Sequence, residues 1–310
     1  MTCENTYQIS HRNMDMALRE EMESQGQSLF RWRSYLPFVL LSLVLAGFTE
    51  LAVSGHSHLK STGYSYELEL FFELTCLMVS LSGLGIRIVT TGYAAPGTSG
   101  RNTHRQRADS LNTTGMYSVT RNPLYLGNFL NGLGFSLFCG VWWVPTLYVA
   151  AFWLYYERII YREEEYLRSK FGEEFLNWAS RTPAFFPAFR YPVSPERRFN
   201  VRRVIRNEYS TLFLIISIFT LFDGLENLFV EGAFRVDRIW IGLFAAAACV
   251  WLLVKTMKKR TRFFSQQESE CPQASASSES TPGHRAEIDT GAPRTIDMEP
   301  PAPLLSAGTV

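Results

Sequence analysis

Two short segments of the sequence carry residue types that could bind a charged small molecule. In the first, Arg121 and Asn122 stand just before Pro123 and an apolar run. A proline disfavours the helical conformation in the residue before it and is well tolerated in the first turn of a helix. Arg121 and Asn122 are therefore predicted to cap a helix. Its free N–H groups, with the guanidinium beside them, would bind a carboxylate or a phosphate.

The second segment is acidic, with Glu163, Glu164 and Glu165 in sequence shortly after another apolar run. Carboxylates close to a membrane are costly unless they have partners, so they are candidates for function. A solvated helix face is the alternative, because Glu164 and Arg168 have the i, i+4 spacing of a surface ion pair.

Together the two segments resemble a known family of membrane enzymes, the isoprenylcysteine carboxyl methyltransferases and phospholipid methyltransferases. The family pattern is similar to G-x-Y-x-x-x-R-H-P-x-Y-x-G, a helical hairpin, E-E-x-x-L-x-x-x-F-G-x-x-(Y/F) and T-P-x-x-x-P. Residues 115–127, 163–175 and 182–187 fit its three parts, and the resemblance covers about residues 111–187. One position departs from the pattern, since Asn122 replaces the family's histidine. Asparagine keeps a hydrogen bond but no positive charge, so a hydrogen-bonding role is expected there and not proton transfer.

The resemblance implies a buried pocket for S-adenosylmethionine, the methyl donor, between the polar loop and the hairpin. The residues implied to line it are Leu111, Asn112, Tyr117, Asn122, Pro123, Leu124, Tyr125, Glu163 and Glu164. The carboxylates suit the donor's ammonium or ribose hydroxyls, and the helix start suits its carboxylate. The candidate catalytic residues are Arg121, Arg158 and Arg162.

Methyl transfer from a sulfonium needs alignment and desolvation more than an acid or a base, so no metal is predicted. The five cysteines lack C-x-x-C spacing, which also argues against a zinc site or a disulfide framework. The family methylates prenylcysteine carboxylates, phospholipid amines and lipid phosphates. Arginines flanking both segments favour an anionic lipid or lipidated acceptor, although the same arginines also satisfy the positive-inside rule. They are Arg101, Arg105, Arg107, Arg158, Arg162, Arg197, Arg198, Arg202 and Arg203.

The elements that must position these residues are predicted to be transmembrane helices. Apolar runs near the roughly 20 residues that cross a bilayer alternate with charged segments. We predict an all-α integral membrane protein with about six crossings, at about residues 35–53, 68–91, 124–138, 146–160, 210–230 and 239–257. The third and fourth form a short hairpin whose aromatic turn carries Trp142 and Trp143, and a charged helical stretch follows over residues 157–180.

Lysine and arginine counts at the span ends place both termini and the candidate site in the cytosol. The membrane would be the inner membrane of a bacterium or the endoplasmic reticulum of a eukaryote. A net charge of +1 gives no reason to expect nucleic acid as a partner. The sequence does not indicate an oligomeric state.

The predicted organisation has five parts. They are a polar cytosolic segment (1–34), a first span with its outer loop (35–62), a methyltransferase core (63–190), a basic linker with two further spans (191–264) and a disordered tail (265–310). His56 and His58 are read as part of a solvated loop. The small residues Gly83, Gly85, Gly132 and Gly134 inside spans are expected to allow close helix packing.

Two alternatives remain at this stage. One is a phospholipid amine N-methyltransferase. The other is a non-catalytic transporter or scaffold that kept the fold, for which Asn122 is the supporting residue.

Overall fold

The computed structural model describes residues 20–22, 24–26, 28–29, 36–54, 66–95, 110–190 and 192–260. Helices and loops make up this part of the chain, together with a 3-10 turn at Gly115–Ser118. The α-helices from residue 36 onward are α1 (Leu36–Ser54), α2 (Tyr66–Tyr93), α3 (Pro123–Phe138), α4 (Trp143–Phe171), α5 (Glu173–Ala179), α6 (Val201–Glu231) and α7 (Arg238–Arg260). The loop of His56 and His58, the arginines at 101, 105 and 107, and the tail from residue 265 lie outside the described residues.

Three of these helices are long and apolar enough to cross a membrane: Tyr66–Tyr93, Val201–Val230 and Arg238–Arg260. The apolar part of α1, Phe38–Val53, is shorter. Helix α3 has 16 residues and is about 24 Å long, which is less than the roughly 30 Å of a bilayer's hydrocarbon core. The all-helical prediction is confirmed for the described residues. Of the six predicted crossings, length and composition support three.

Helix α4 differs from the prediction at its C-terminal end. The predicted hairpin arm, residues 146–160, and the first half of the predicted charged stretch form one continuous helix, Trp143–Phe171. The helix ends at Gly172, which has a φ of 53°. This positive φ disfavours residues with a side chain. The charged stretch is thus not one helix over residues 157–180, because Gly172 separates α4 from the short helix α5.

An aromatic core holds α1, α3, α6 and α7 together. Phe48, Phe138, Phe219, Phe222 and Trp240 are all buried in it. The rings of Phe219 and Trp240 are stacked, with centroids 5.5 Å apart and an interplanar angle of 4°. The last two helices therefore pack into the same core as the hairpin's first arm.

Helices α2 and α3 approach each other closely where both carry small residues. A Cβ atom at Gly83 would lie 2.4 Å from the carbonyl oxygen of Gly127, and one at Gly134 would lie 2.2 Å from Ser80 Oγ. Such distances exclude any side chain at these two positions. The prediction of close packing is confirmed at Gly83, Gly132 and Gly134, but a Cβ at Gly85 would meet nothing within 4 Å.

A buried polar group joins α2 and α3 to α6. The Arg87 guanidinium donates through Nε and Nη2 to the two carboxylate oxygens of Glu208, each at 3.0 Å, and through Nη1 to Asn128 Oδ1 at 2.7 Å. The exposed fraction is 16% for the Arg87 side chain and 5% for that of Glu208. Nearer the other end of α2, Trp240 Nε1 donates to Glu73 Oε2 at 2.8 Å. Helices α6 and α7 thus complete the polar contacts of α2.

Candidate functional site

The loop before α3 is joined by hydrogen bonds to the segment after α5. Gly115 N donates to the Val193 carbonyl at 3.0 Å, and Ala188 N donates to the Val119 carbonyl at 3.0 Å. The buried Thr120 hydroxyl donates to the Phe185 carbonyl at 2.9 Å. These contacts fix the backbone at the foot of the hairpin, where the two sequence segments meet.

Arg121 and Glu164 form a two-bond ion pair at this foot. Nε donates to Glu164 Oε1 and Nη2 to Oε2, each at 2.8 Å. Nη1 donates to the carbonyl oxygens of Ala179 and Thr182, at 2.8 and 2.9 Å. These four bonds use four of the five N–H groups of the guanidinium. Arg121 is therefore a positioning residue, which holds Glu164 and the end of α5 against the start of α3.

Asn122 is the N-cap residue of α3, and Pro123 occupies the first turn as the sequence predicts. The Asn122 side chain does not cap the helix. Its Nδ2 donates to the Ala184 carbonyl at 2.9 Å and makes a longer contact, 3.5 Å, with Glu164 Oε1. Among the described residues no donor reaches Asn122 Oδ1, so this oxygen can accept a hydrogen bond from a ligand.

The second glutamate is held by a tyrosine on α3. The Tyr125 hydroxyl donates to Glu163 Oε1 at 2.7 Å. The Tyr125 ring packs edge-on against Tyr156 of α4, with centroids 4.8 Å apart. Glu163 is thus oriented from the start of α3, one turn beyond the Arg121 and Glu164 pair.

Tyr117 lies close enough to Glu163 for that carboxylate to affect its titration. Burial, with the charge of Glu163 as a lesser cause, raises the pKa of the Tyr117 phenol well above its ordinary value. The phenol therefore stays protonated at neutral pH and can donate a hydrogen bond. The other implied pocket residues, Leu111, Asn112 and Leu124, are half-buried, and Pro123 is buried.

Arg158 and Arg162 lie on a different face of α4. Successive residues of a helix are about 100° apart, so Arg158 points about 140° away from Glu163. The guanidinium of Arg158 donates from Nε to Gln25 Oε1 at 2.7 Å and from Nη1 to the Leu154 carbonyl at 2.6 Å. A Cβ at Gly26 would lie 3.2 Å from Arg162 Cβ. The structure thus sets both arginines beside residues 24–26, and Arg158 is turned away from the two glutamates.

Two contributors to the site were not among the predicted site residues. Trp178 on α5 donates from Nε1 to the Tyr117 carbonyl at 3.0 Å. Buried Thr182 offers its backbone carbonyl to Arg121. The Thr-Pro pattern at residues 182–183 marked the second of these as part of the family resemblance. Trp178 carried no comparable signal, because a lone tryptophan in a charged segment is also typical of a membrane interface.

Part of the chain is similar to a known protein family. Residues 74–174 match the family described as phospholipid methyltransferase. This part of the chain is similar to the phospholipid methyltransferases. The matched range contains α3, α4 and the paired residues of both segments, whereas α6 and α7 lie beyond it.

Three curated relatives are similar to parts of the chain. The cobalt-zinc-cadmium resistance protein CzcN of Cupriavidus metallidurans is 35% identical over 158 residues, and the nickel-cobalt-cadmium resistance protein NccN of Alcaligenes xylosoxydans xylosoxydans is 32% identical over 158 residues. Each of these matches covers 50% of this chain and 62% of the relative's length. The protein-S-isoprenylcysteine O-methyltransferase of Schizosaccharomyces pombe is 30% identical over 83 residues, which cover 27% of this chain and 35% of that enzyme. No solved structure matches the chain.

Proposed function

We propose that this chain is an S-adenosylmethionine-dependent membrane methyltransferase that transfers a methyl group to an anionic group of a lipid or a lipidated substrate. The observation that carries the proposal is the pairing of Arg121 with Glu164 and of Tyr125 with Glu163. These pairs join residues about 40 positions apart and organise the two segments that resemble the family's donor site.

The residues at the hairpin foot fit the chemistry of the donor. When bound, S-adenosylmethionine supplies a methyl group on a positively charged sulfur. Glu163 would hold the ammonium or ribose hydroxyls, because a carboxylate accepts strong hydrogen bonds from either. Asn122 Oδ1 would accept a further hydrogen bond, since no donor among the described residues reaches it. Glu164, paired with Arg121, would chiefly hold Glu163 and Asn122 in position around the donor.

An anionic acceptor suits the surroundings of the site. The segment that hydrogen-bonds to the loop carries the exposed cations Arg181, Arg190, Arg197 and Arg198. We propose that these arginines attract the carboxylate or phosphate of the acceptor, in place of Arg158 and Arg162. An anionic oxygen attacks the methyl group directly and needs no base to remove a proton, which agrees with the lack of a histidine at position 122.

We further propose that the site faces the cytosol. The N-terminal end of α6 and the C-terminal end of α7 are both basic, with Arg202, Arg203 and Arg206 at one and Lys258, Lys259 and Arg260 at the other. Positive residues at span ends favour the cytosolic side. The arginine-rich segment that contacts the candidate site leads directly into α6 and would lie on the same side.

Binding of the demethylated donor product, S-adenosylhomocysteine, tests the donor site. We expect saturable binding to the detergent-purified full chain by calorimetry. Glu163→Gln should weaken binding by about tenfold, because one charge-assisted hydrogen bond is lost. Glu174→Gln is the matched control, since Glu174 is exposed on α5. Absence of binding to folded wild-type protein would favour the non-catalytic alternative.

The chemistry of the methylated product identifies the acceptor. Membranes that contain the protein would be incubated with donor labelled in the methyl group. Mild alkali releases volatile methanol from a carboxyl methyl ester, whereas an N-methyl group is stable to it. Label that stays on a phospholipid amine after alkali would support the N-methyltransferase alternative.

A further inference from the structure

A cleft lies between the helical residues 24, 25, 28 and 29 and the face of α4 that carries Arg158. It has a volume of about 540 Å³. The lining residues are Ser24, Gln25, Ser28, Leu29, Ala151, Leu154, Tyr155 and Arg158. Its size falls within the roughly 300–1,000 Å³ of small-molecule sites. One wall of the cleft precedes the matched family range, whereas the α4 residues of the other wall lie within it.

The α4 side of the cleft is a single helix face. Ala151, Leu154, Tyr155 and Arg158 follow the i, i+3, i+4, i+7 spacing of one face. The side chains that bury α4 against α3, among them Phe152 and Tyr156, lie on another face. The glutamates of the donor site are also turned away from the cleft. A molecule in the cleft would therefore be separate from the proposed methyl donor.

Arg158 gives the cleft a positive end. Its two hydrogen bonds go to the neutral oxygens of Gln25 and of the Leu154 carbonyl. No carboxylate of the described residues pairs with it, and its Nη2 makes no hydrogen bond to them. A partly buried guanidinium with free donors is suited to a phosphate, which can accept from two N–H groups at once. Ser24 and Ser28 add two hydroxyl groups to the lining of the cleft.

The rest of the lining is apolar. Leu29, Ala151 and Leu154 form this part, and Leu154 is 58% exposed. The Tyr155 hydroxyl donates to the Leu29 carbonyl and so ties the two walls together. An apolar trough with one cation at its end matches the chemistry of a phospholipid, in which an acyl chain joins an anionic headgroup. The cytosolic leaflet supplies anionic phospholipids at high local concentration.

We propose that this cleft binds one anionic phospholipid, with its phosphate at Arg158 and an acyl chain along Ala151 and Leu154. The lipid holds residues 24–26, 28 and 29 against α4. It is a bound component of the protein and not the methyl acceptor, because its headgroup lies on the opposite side of α4 from the glutamates.

Native mass spectrometry of the full chain tests this proposal. The protein would be released from micelles that contain phosphatidylglycerol and phosphatidylcholine in equal amounts. We expect one retained phosphatidylglycerol on the wild type and about tenfold less retention for Arg158→Gln, since a charged hydrogen bond is lost. Arg168→Gln is the matched control, because Arg168 is exposed on the same helix.

A second variant fills the cleft and leaves its charge unchanged. Ala151→Trp should lower phosphatidylglycerol retention to a similar extent, while its affinity for S-adenosylhomocysteine stays within about twofold of the wild type, because Ala151 is outside the donor site. Equal retention in wild type and Arg158→Gln would overturn the proposal. Equal loss in Arg168→Gln, or displacement of the lipid by inorganic phosphate alone, would overturn it too. Donor binding is measured separately, so failure of the proposed function does not change the lipid result.

Discussion

Two arginine–glutamate pairs stabilise different regions of this protein with nearly the same geometry. Arg121 and Glu164 are joined by two bonds of 2.8 Å, and Arg87 and Glu208 by two bonds of 3.0 Å. The first pair lies at the hairpin foot, and its arginine also binds backbone carbonyls at the end of α5 and just after it. The second lies between long helices and adds only an amide, that of Asn128. The same type of ion pair thus organises a candidate site in one region and holds long helices together in the other.

The two pairs also differ in how far they reach along the chain. Arg121 and Glu164 are 43 residues apart and both lie within the matched family range. Arg87 lies within that range as well, but Glu208 is 121 residues away, on α6 and beyond the match. Helix α6, which lies beyond the matched range, therefore supplies the counterion for Arg87, a partly buried arginine inside that range. We infer that α6 is part of the core's stability and more than an anchor.

Removal of the Glu208 charge should have the largest effect. Glu208→Gln leaves the partly buried Arg87 guanidinium without a counterion at a site where Glu208 itself is buried, so we expect a loss of about 3 kcal/mol of unfolding free energy. Titration of the detergent-solubilised protein with dodecyl sulfate, followed by tryptophan fluorescence, measures the change. Glu196→Gln, at an exposed position, is the control. Equal stability of the two variants would mean that α6 is only loosely attached.

A methyl group at Gly127 should disturb the helix pair from within the core. A Cβ there would lie 2.6 Å from Arg87 Cγ and 2.8 Å from the Gly83 carbonyl oxygen. We expect Gly127→Ala to cost about 2 kcal/mol of unfolding free energy, because the helices must move apart. Gly85→Ala is the control, because Gly85 lies on α2 with open space around its Cβ position. It should leave the unfolding free energy unchanged or raise it slightly. A harmless Gly127→Ala would show that α2 and α3 can separate without loss.

Replacement of Arg121 by lysine tests the pair at the hairpin foot. Lysine keeps the positive charge but cannot contact both Glu164 oxygens and two carbonyls at once. We expect Arg121→Lys to lower the unfolding free energy by about 1.5 kcal/mol, less than Glu208→Gln does, because this pair is more exposed. The same dodecyl sulfate titration compares the two. A larger loss for Arg121→Lys would reverse the ranking of the two regions.

Much of the hairpin foot could be predicted from the sequence, because its residues lie in short motifs with local causes. Pro123 set the start of α3, and the two segments indicated which carboxylates would lie near it. The partners of those carboxylates could not be predicted. Arg121 was expected to contact a ligand, but most of its donors are used within the protein. A motif shows which residues matter together and does not show which of them bind each other.

The contacts between the long helices were harder to predict, because an apolar run does not specify its neighbours. Arg87 lies near the end of the predicted span 68–91, and nothing in the sequence of residues 201–231 indicated that Glu208 would contact it. The division of the charged stretch, residues 157–180, into two helices was not predicted for a related reason. The helical period continues smoothly from residue 143 to 171, and charges do not end a helix. Only the positive φ of Gly172 does so, and a single glycine is a weak signal.

The smallest expected effect belongs to Tyr125, and it separates the donor site from the fold. Tyr125→Phe removes the hydroxyl that donates to Glu163 and keeps the ring that packs on Tyr156. We expect the affinity for S-adenosylhomocysteine to fall about fivefold, which corresponds to about 1 kcal/mol for one hydrogen bond to a charged group. Tyr161→Phe is the control in calorimetry, because Tyr161 is also a half-buried tyrosine. Weaker binding with an unchanged unfolding midpoint would show that the Tyr125 hydroxyl orients Glu163 for the ligand. A purely structural role would instead lower the unfolding midpoint. A lower unfolding midpoint with unchanged affinity would contradict the proposed donor site. The hairpin foot would then stabilise the fold, as the Arg87 and Glu208 pair does between the long helices.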